Sequence, residues 1–357
     1  MTLTKITIKQ IAIAVLAFAM TTASQAADNN IGFVYVSPIG DAGWTYQHDL
    51  GRLQLEKEMG VTTSYVENVA EGADAERVIR EMAKRGDKVI FATSFGYMNY
   101  ALKVSKQFKN TAFVHATGYK LGKNMGLVNA RFYEGRYLTG VIAGEMTRSN
   151  VLGYVAAFPI PEVLQGINAF IKGARSVNPE AELRVIWVNS WYDPGKERQA
   201  AITLISQGVD VVTHHTDSTA VVQAAEEEGV YAFGYHSDMS KYGPKAHLTA
   251  TTHHWGDFYV DTVKQVLAGT WAPVSIWGGY PRGMIKLAPL NDAIPEPLQN
   301  RIRNMERALE ARTLHPFAGP VVDQGGKTIV PEGRNMTDEE LNKMNYYLQG
   351  VVSTIPN

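Results

Sequence analysis

Apolar and polar positions along this chain switch between two periods. Short β-branched runs such as "IGFVYV" from Ile31 and "KVIFAT" from Lys88 have the length and composition of buried strands. Between and after them, "ERVIREMAKR" from Glu76 and "GYMNYALKVSKQF" from Gly96 space their apolar residues three and four apart, as a helix with one buried stripe does. Gly86 supplies a stop for the first of these helices. Strands alternating with helices predict a parallel sheet with helices on both faces.

The same pattern is written twice. "IGFVYVSPIGDAGW" from Ile31 lines up with "LGYVAAFPIPEVLQ" from Leu152, which sets Pro38 and Ile39 on Pro159 and Ile160. "ERVIREMAKRGDKVIFATS" from Glu76 lies over "RQAAITLISQGVDVVTHHT" from Arg198, with Gly86 on Gly208. A nearly constant offset with a shared helix, glycine stop and strand points to internal duplication. The predicted class is α/β, two-lobed, each lobe a parallel sheet flanked by helices. "TTHHWGDFYVDTVKQVLAGTW" then predicts a helix over residues 255–267, ended by Gly269. We expect residues 27–146 with about 255–275 to form the first lobe, and 147–254 with about 276–357 the second. The sequence alone leaves the last 60 residues open between the two, and a chain that crosses more than once makes a hinge.

Composition narrows the class of function. Lys5 and Lys9 before "IAIAVLAFAM", closed by the small residues Ser24 and Ala26, read as a secretory signal peptide over residues 1–26. The apolar run is too short to span a bilayer, which takes ~20 residues. No cysteine is present, which excludes disulfides, thiolate metal sites and a lipidated cysteine anchor. A formal net charge of -1 gives no electrostatic reason for nucleic-acid binding. An exported, unanchored protein of the periplasm is expected.

In parallel α/β sheets ligands sit beyond the carboxyl ends of the strands. The residues following the predicted strands are therefore candidates: Asp41, Trp44 and His48, then Phe95, then Phe158, then Asn189 and Trp191, then His215 and Asp217, then His236 and Asp238. Glu162 and Asp193 also fall in these loops. Trp44 and Trp191, in related halves and beside acids, suit a flat ring held between them.

The tail "FAGPVVDQGGKTIVPEGRNMTDEELNKMNYYLQG" reads locally as a hairpin around Gly325 and Gly326, then a helix with Thr337 and Glu340 as a capping box. It also resembles the closing signature of the basic membrane protein family, the purine-nucleoside-receptor-like substrate-binding proteins of ABC importers. "DAGWTYQ" resembles that family's first aromatic loop, "RFYEGRYLTGVIAG" its glutamate-glycine helix, "NSWYDPGKERQAA" its second aromatic loop and "GYHSDM" its serine-aspartate turn. The resemblance implies a type I periplasmic binding protein in which Trp44 and Trp191 sandwich a purine and Asp238 holds a ribose. It also implies a lysine between Thr249 and Trp255, where this chain has His253 and His254 instead. A free nucleobase of the adenine or hypoxanthine kind is then expected ahead of a nucleoside, with a membrane permease as partner, no cofactor, and a monomer in solution.

Two other readings compete. "ATSFG" from Ala92 approximates a serine-hydrolase elbow with Ser94 as nucleophile, but the equivalent site in the second copy reads "HHTDS", so the fold accounts for the loop. A sensor for another small solute would share the fold and differ in its membrane partner. The pairs His214–His215 and His253–His254 suggest metal ligation with Asp217 and Asp238. Neighbours on a strand point to opposite faces, so each pair offers one ligand, and hydrogen-bonding histidines without metal are expected.

Overall fold

The computed structural model describes residues 30–356. The expected signal peptide lies outside the described residues. Contacts divide the chain into two compact units. The first holds residues 30–36, Leu50–Val128 and Gly256–Ser275, and the second holds Ser37–Asp49, Asn129–Trp255 and residues 276–356.

Each unit is built on a six-stranded sheet. The first sheet takes β1 (Ile31–Val34), β2 (Thr63–Val66), β3 (Val89–Ala92), β4 (Ala112–Ala116) and β5 (Met125–Ala130) in the order β2-β1-β3-β4-β5, with β11 (Ser275–Gly278) at the edge. The second takes β6 (Val151–Ala156), β7 (Glu182–Trp187), β8 (Val211–His215), β9 (Tyr231–His236) and β10 (His247–His253) in the order β7-β6-β8-β9-β10, with β12 (Ile285–Leu287) antiparallel at the edge. The two orders are the same, and the register repeats too: Ile31 pairs with Val89 in one sheet, and Leu152 with Val211 in the other. These are the residues that the sequence repeat superimposes. The predicted helix over residues 255–267 forms at Gly256–Leu267.

The helix α4 (Phe132–Met146) and the loop Ser37–Asp49 were expected in the first lobe, yet both group with the second unit. For α4 the reason is a close crossing with α5 (Pro161–Arg175). A Cβ on Gly140 would stand 2.1 Å from the Phe170 carbonyl oxygen, and one on Gly173 would stand 2.2 Å from that of Tyr137. A helix backbone approaches another this closely only where the approaching residue is glycine, with no Cβ in the way.

The C-terminal stretch also belongs to the second unit. Phe317, Val330, Leu341, Met344, Leu348 and Val351 share a core with Leu164, Ile167 and Ile171 of α5. The hairpin β13 (Val321–Val322) with β14 (Thr328–Val330) and the Thr337–Glu340 capping box both form as the sequence predicts. Asn168 holds the tail from within α5, donating to the Tyr346 carbonyl at 2.8 Å and accepting from Leu348 N at 2.9 Å. Among the described residues, no helix is long and apolar enough to cross a membrane.

Gly140→Ala is expected to destabilise the protein by about 1–3 kcal/mol through overpacking against the Phe170 backbone. The check is the midpoint of urea unfolding, and a midpoint equal to wild type would refute the close crossing.

Candidate functional site

The second unit gathers its aromatic and polar side chains at the carboxyl ends of β6, β8, β9 and β10. One residue organises the loops there. Asp217 donates its backbone N–H to the Trp191 carbonyl at 2.9 Å. Its carboxylate accepts from the Ser37 hydroxyl and from the Trp44 backbone N–H. Trp44 opens α1 (Trp44–Met59), so this acceptor sits at a helix N-terminus, where negative charge is favoured. Gly43 allows the approach, because a Cβ there would fall 2.2 Å from the Asp217 carbonyl oxygen and its φ is +98°. Its N–H donates to the Ser237 hydroxyl at 2.8 Å, a second tie on the same turn.

The Trp191 loop has its own brace. Buried Glu197 accepts from Asp193 N at 2.9 Å with one oxygen and from the Ser218 hydroxyl at 2.6 Å with the other. Both tryptophan-bearing loops are thus fixed to the segment that follows β8.

The rings form a continuous line. Phe158 tilts against Trp191 at 5.0 Å between centroids, Trp191 lies 6.4 Å from His215, His215 lies 5.9 Å from His236, and His236 lies 5.4 Å from Trp44. Trp44 meets His48 edge-on at 4.4 Å and Trp255 at 5.7 Å, while His48 stacks flat on Trp255 at 4.6 Å. Trp191 and Phe158 keep partial exposure, whereas Trp44 is 9 % exposed.

Polar groups are set into this aromatic wall. Glu162, in the first turn of α5, is 12 % exposed at its side chain and places one oxygen 3.8 Å from His215 Nε2. Its other oxygen is sealed and has no hydrogen-bond partner. Burial pushes the Glu162 carboxyl up to about 8 and that of Asp217 up to about 7. Arg136 is fully buried beneath, with its guanidinium 3.5 Å over the Tyr235 ring and Nη1 donating to Thr213 Oγ1 at 2.9 Å. Burial, and then the Arg136 charge, hold His215 well below its ordinary range, so its ring is neutral. His236 and His253 are likewise held neutral, chiefly by burial.

The remaining candidates from the sequence stand elsewhere. Asp41 is exposed and pairs with Lys241 at 2.5 Å and with the Tyr242 hydroxyl. Asp238 is exposed and accepts from Ser240 N at 2.9 Å, capping a short turn. Asn189 is exposed in the left-handed region at φ 50°. Phe95 lies in the first unit, 6.4 Å from Tyr119. Ser94 donates its hydroxyl to Glu71 at 2.6 Å, and the nearby His115 ring contacts the Ser94 carbonyl, not the hydroxyl. No group of three or more metal-type ligands comes together among the described residues. Phe132 and Trp255 join the site without having been singled out for it, whereas Glu162, Ser237 and His253 were named in the sequence only as a loop acid, part of a turn and a histidine in place of a lysine. Trp255 lies two residues past His253, the last residue of β10, and so was readable as one more residue following a strand.

Flat faces, neutral imidazoles and a largely buried carboxyl at the strand ends of a duplicated α/β fold define a receptor for a small solute. Residues 28–313 match the family model of ABC transporter substrate-binding proteins described as PnrA-like. The chain belongs to that family of substrate-binding proteins. It is 49% identical over 328 residues to a purine-binding protein of Brucella abortus (strain 2308), covering 91% of this chain and 93% of the relative. It is 38% identical over 336 residues to a putative ABC transporter glucose-binding protein of Haloferax volcanii, covering 94% and 83%. A solved ABC transporter solute-binding protein of Aeropyrum pernix K1 superposes with a TM-score of 0.71 at 15% identity, over 80% of this chain and 92% of that one, which shows a common fold.

The buried groups set opposing pH dependences. His48, His115, His214, His215, His236 and His253 are depressed below 6.5, mainly by burial, so the unfolded chain binds more protons as pH falls and stability drops on the acid side. Glu162 and Asp217 are raised instead. Their stabilising share is complete below the ordinary carboxyl range and is lost as pH climbs toward about 7 for Asp217 and about 8 for Glu162. Thermal stability of the ligand-free protein is therefore expected to peak near pH ~6.5 and to fall toward pH ~8.5, with Glu162→Gln flattening the alkaline limb. Melting curves across that range check this, and an alkaline limb unchanged in Glu162→Gln would show that Glu162 is not the group responsible.

Proposed function

We propose that this protein captures a purine nucleobase of the adenine or hypoxanthine kind outside the cytoplasm and delivers it to a membrane permease. The observation that carries this reading is the line of rings from Phe158 through Trp191, His215 and His236 to Trp44, tied together by Asp217. Aromatic side chains hold a heterocycle by stacking, at ~1–3 kcal/mol per contact. The Glu162 side chain, which keeps 12 % exposure, offers a directional hydrogen bond to the edge of such a ring. The relative in Brucella is named a purine-binding protein, and its identity over nearly the whole chain supports the same class of cargo here.

In this reading Trp191 and Phe158 stack on the base, Glu162, His215 and His236 recognise its edge, and Trp44 closes the wall behind them. Asp217 and Ser37 act on the protein's own loops, not on the solute. Asp41, Asn189 and Asp238 stand outside the contact set. The chain works as a monomer, is exported by its N-terminal segment into the periplasm without a lipid anchor, and makes or breaks no bond in its cargo.

The halophile relative, named as a putative glucose-binding protein, gives the competing cargo. Mass spectrometry of small molecules released on denaturation, followed by calorimetry with adenine, hypoxanthine, adenosine and glucose, separates the two. A purine base is expected to bind at least tenfold tighter than glucose, and Trp191→Ala is expected to weaken that binding by about 1–3 kcal/mol with the fold intact. Preference for glucose would overturn the assignment, and unchanged purine affinity in Trp191→Ala would remove that ring from the site.

A further inference from the structure

At the end of β10, Trp255 Nε1 stands 2.6 Å from His253 Nδ1, and His253 Nε2 stands 2.9 Å from His236 Nδ1. An indole N–H can only donate. His253 Nδ1 must therefore be the acceptor, which leaves its proton on Nε2. That proton points at His236 Nδ1, which in turn accepts, so the His236 proton resides on Nε2. Burial keeps both rings neutral, and a proton added to either inner nitrogen would face another N–H across a hydrogen-bond distance.

We propose that His236 presents a fixed Nε2–H donor to the bound solute, its tautomer set by a relay that starts at the Trp255 indole. The inference rests on the purine reading for the identity of the solute, but the relay itself stands on the three side chains alone. Three further observations converge on His236. Its Nε2 has no hydrogen-bond partner among the described residues, and it is not among the sealed nitrogens, as His214 Nε2 and His215 Nδ1 are. Its backbone is held in the left-handed region at φ 71°, costly for a residue with a side chain and maintained where a particular ring direction is required. It also lies within the line of rings, 5.4 Å from Trp44 and 5.9 Å from His215.

A donor that cannot become an acceptor selects chemistry as well as shape. The solute must offer an in-plane acceptor at that point, a pyridine-type ring nitrogen or an exocyclic carbonyl oxygen. A ring of the same outline with C–H or N–H there is rejected, because the donor would be left unpaired. A freely tautomerising histidine would tolerate both.

The test has two arms. In the first, long-range proton–nitrogen spectra of the ligand-free protein report the tautomers of His236 and His253 directly. Both rings are expected to carry their proton on Nε2, and Trp255→Phe, which keeps an aromatic ring but removes the N–H, is expected to mix the populations. Protonation on Nδ1 of either ring in wild type overturns the relay, whatever the cargo proves to be. In the second, single-atom deaza analogues of adenine, each replacing one ring nitrogen by C–H, are titrated into wild type, His236→Gln and His236→Asn. One analogue is expected to bind roughly tenfold more weakly than adenine to wild type. His236→Gln, whose amide N–H can reach the Nε2 position, is expected to keep that discrimination, and His236→Asn to lose it. Equal binding of all the analogues, or equal behaviour of the Gln and Asn variants, overturns recognition by His236. If no purine binds at all, the purine reading fails while the first arm still decides the relay.

Discussion

The site depends on one aspartate facing two ways. Asp217 gives its N–H to the loop of Trp191 and takes the N–H of Trp44 with its carboxylate, so a single residue sets the positions of both indole-bearing segments. Removing the carboxylate would take away the acceptor that the Trp44 N–H uses in a buried place, a loss of about 1–3 kcal/mol, while the Ser37 hydroxyl would keep its contact with the Thr45 hydroxyl at 2.7 Å. Glycine at position 43 is a condition of the same contact, because any side chain there would occupy the space of the Asp217 backbone. The contact thus constrains the chain at two distant points of the sequence, and the ring line between them follows from it.

Around this tie the second unit holds an unusual set of buried polar groups. The Arg136 guanidinium is held by the Tyr235 ring, a threonine hydroxyl and a backbone carbonyl rather than by a carboxylate among the described residues. Burial chiefly, and then this buried cation, keep the neighbouring His214 and His215 neutral. Neutral imidazoles are directional, since each nitrogen is either donor or acceptor, and which it is depends on the partner of the other. Charged ones would be donors at both nitrogens and could not form the contact between His236 and His253. Burial and the arginine together therefore turn a cluster of titratable groups into one with defined hydrogen-bond polarity.

Much of the fold was legible because it is periodic. The alternation of apolar runs and amphipathic helices, repeated from Ile31 and again from Leu152, carries the succession of strands and helices in both sheets, and the structure pairs the residues that the repeat aligns. The allocation of α4 was not legible, because its crossing with α5 depends on glycines at 140 and 173 that look unremarkable in a helix pattern. Within the site, Trp44, Trp191, His215 and His236 were visible as residues following strands. The roles of the acids were not: Asp217 and Asp41 look alike in sequence, yet one is buried under backbone donors and the other sits in solvent beside Lys241. Whether a carboxylate faces solute, loop or water is decided by three-dimensional neighbours that spacing along the chain does not encode.

The tail of the second unit bears on how this protein comes into being. Val351 bridges to Leu183 in parallel, Val352 N donates to the Leu183 carbonyl, and Asn168 is satisfied by residues 346 and 348. Partners so far apart along the chain cannot meet during synthesis until the later segment has left the ribosome. The interior around α5 thus stays unfinished, with apolar surface uncovered, through most of the time the polypeptide is being made. That part of the second unit therefore completes its packing only once residues 346–352 are available to it.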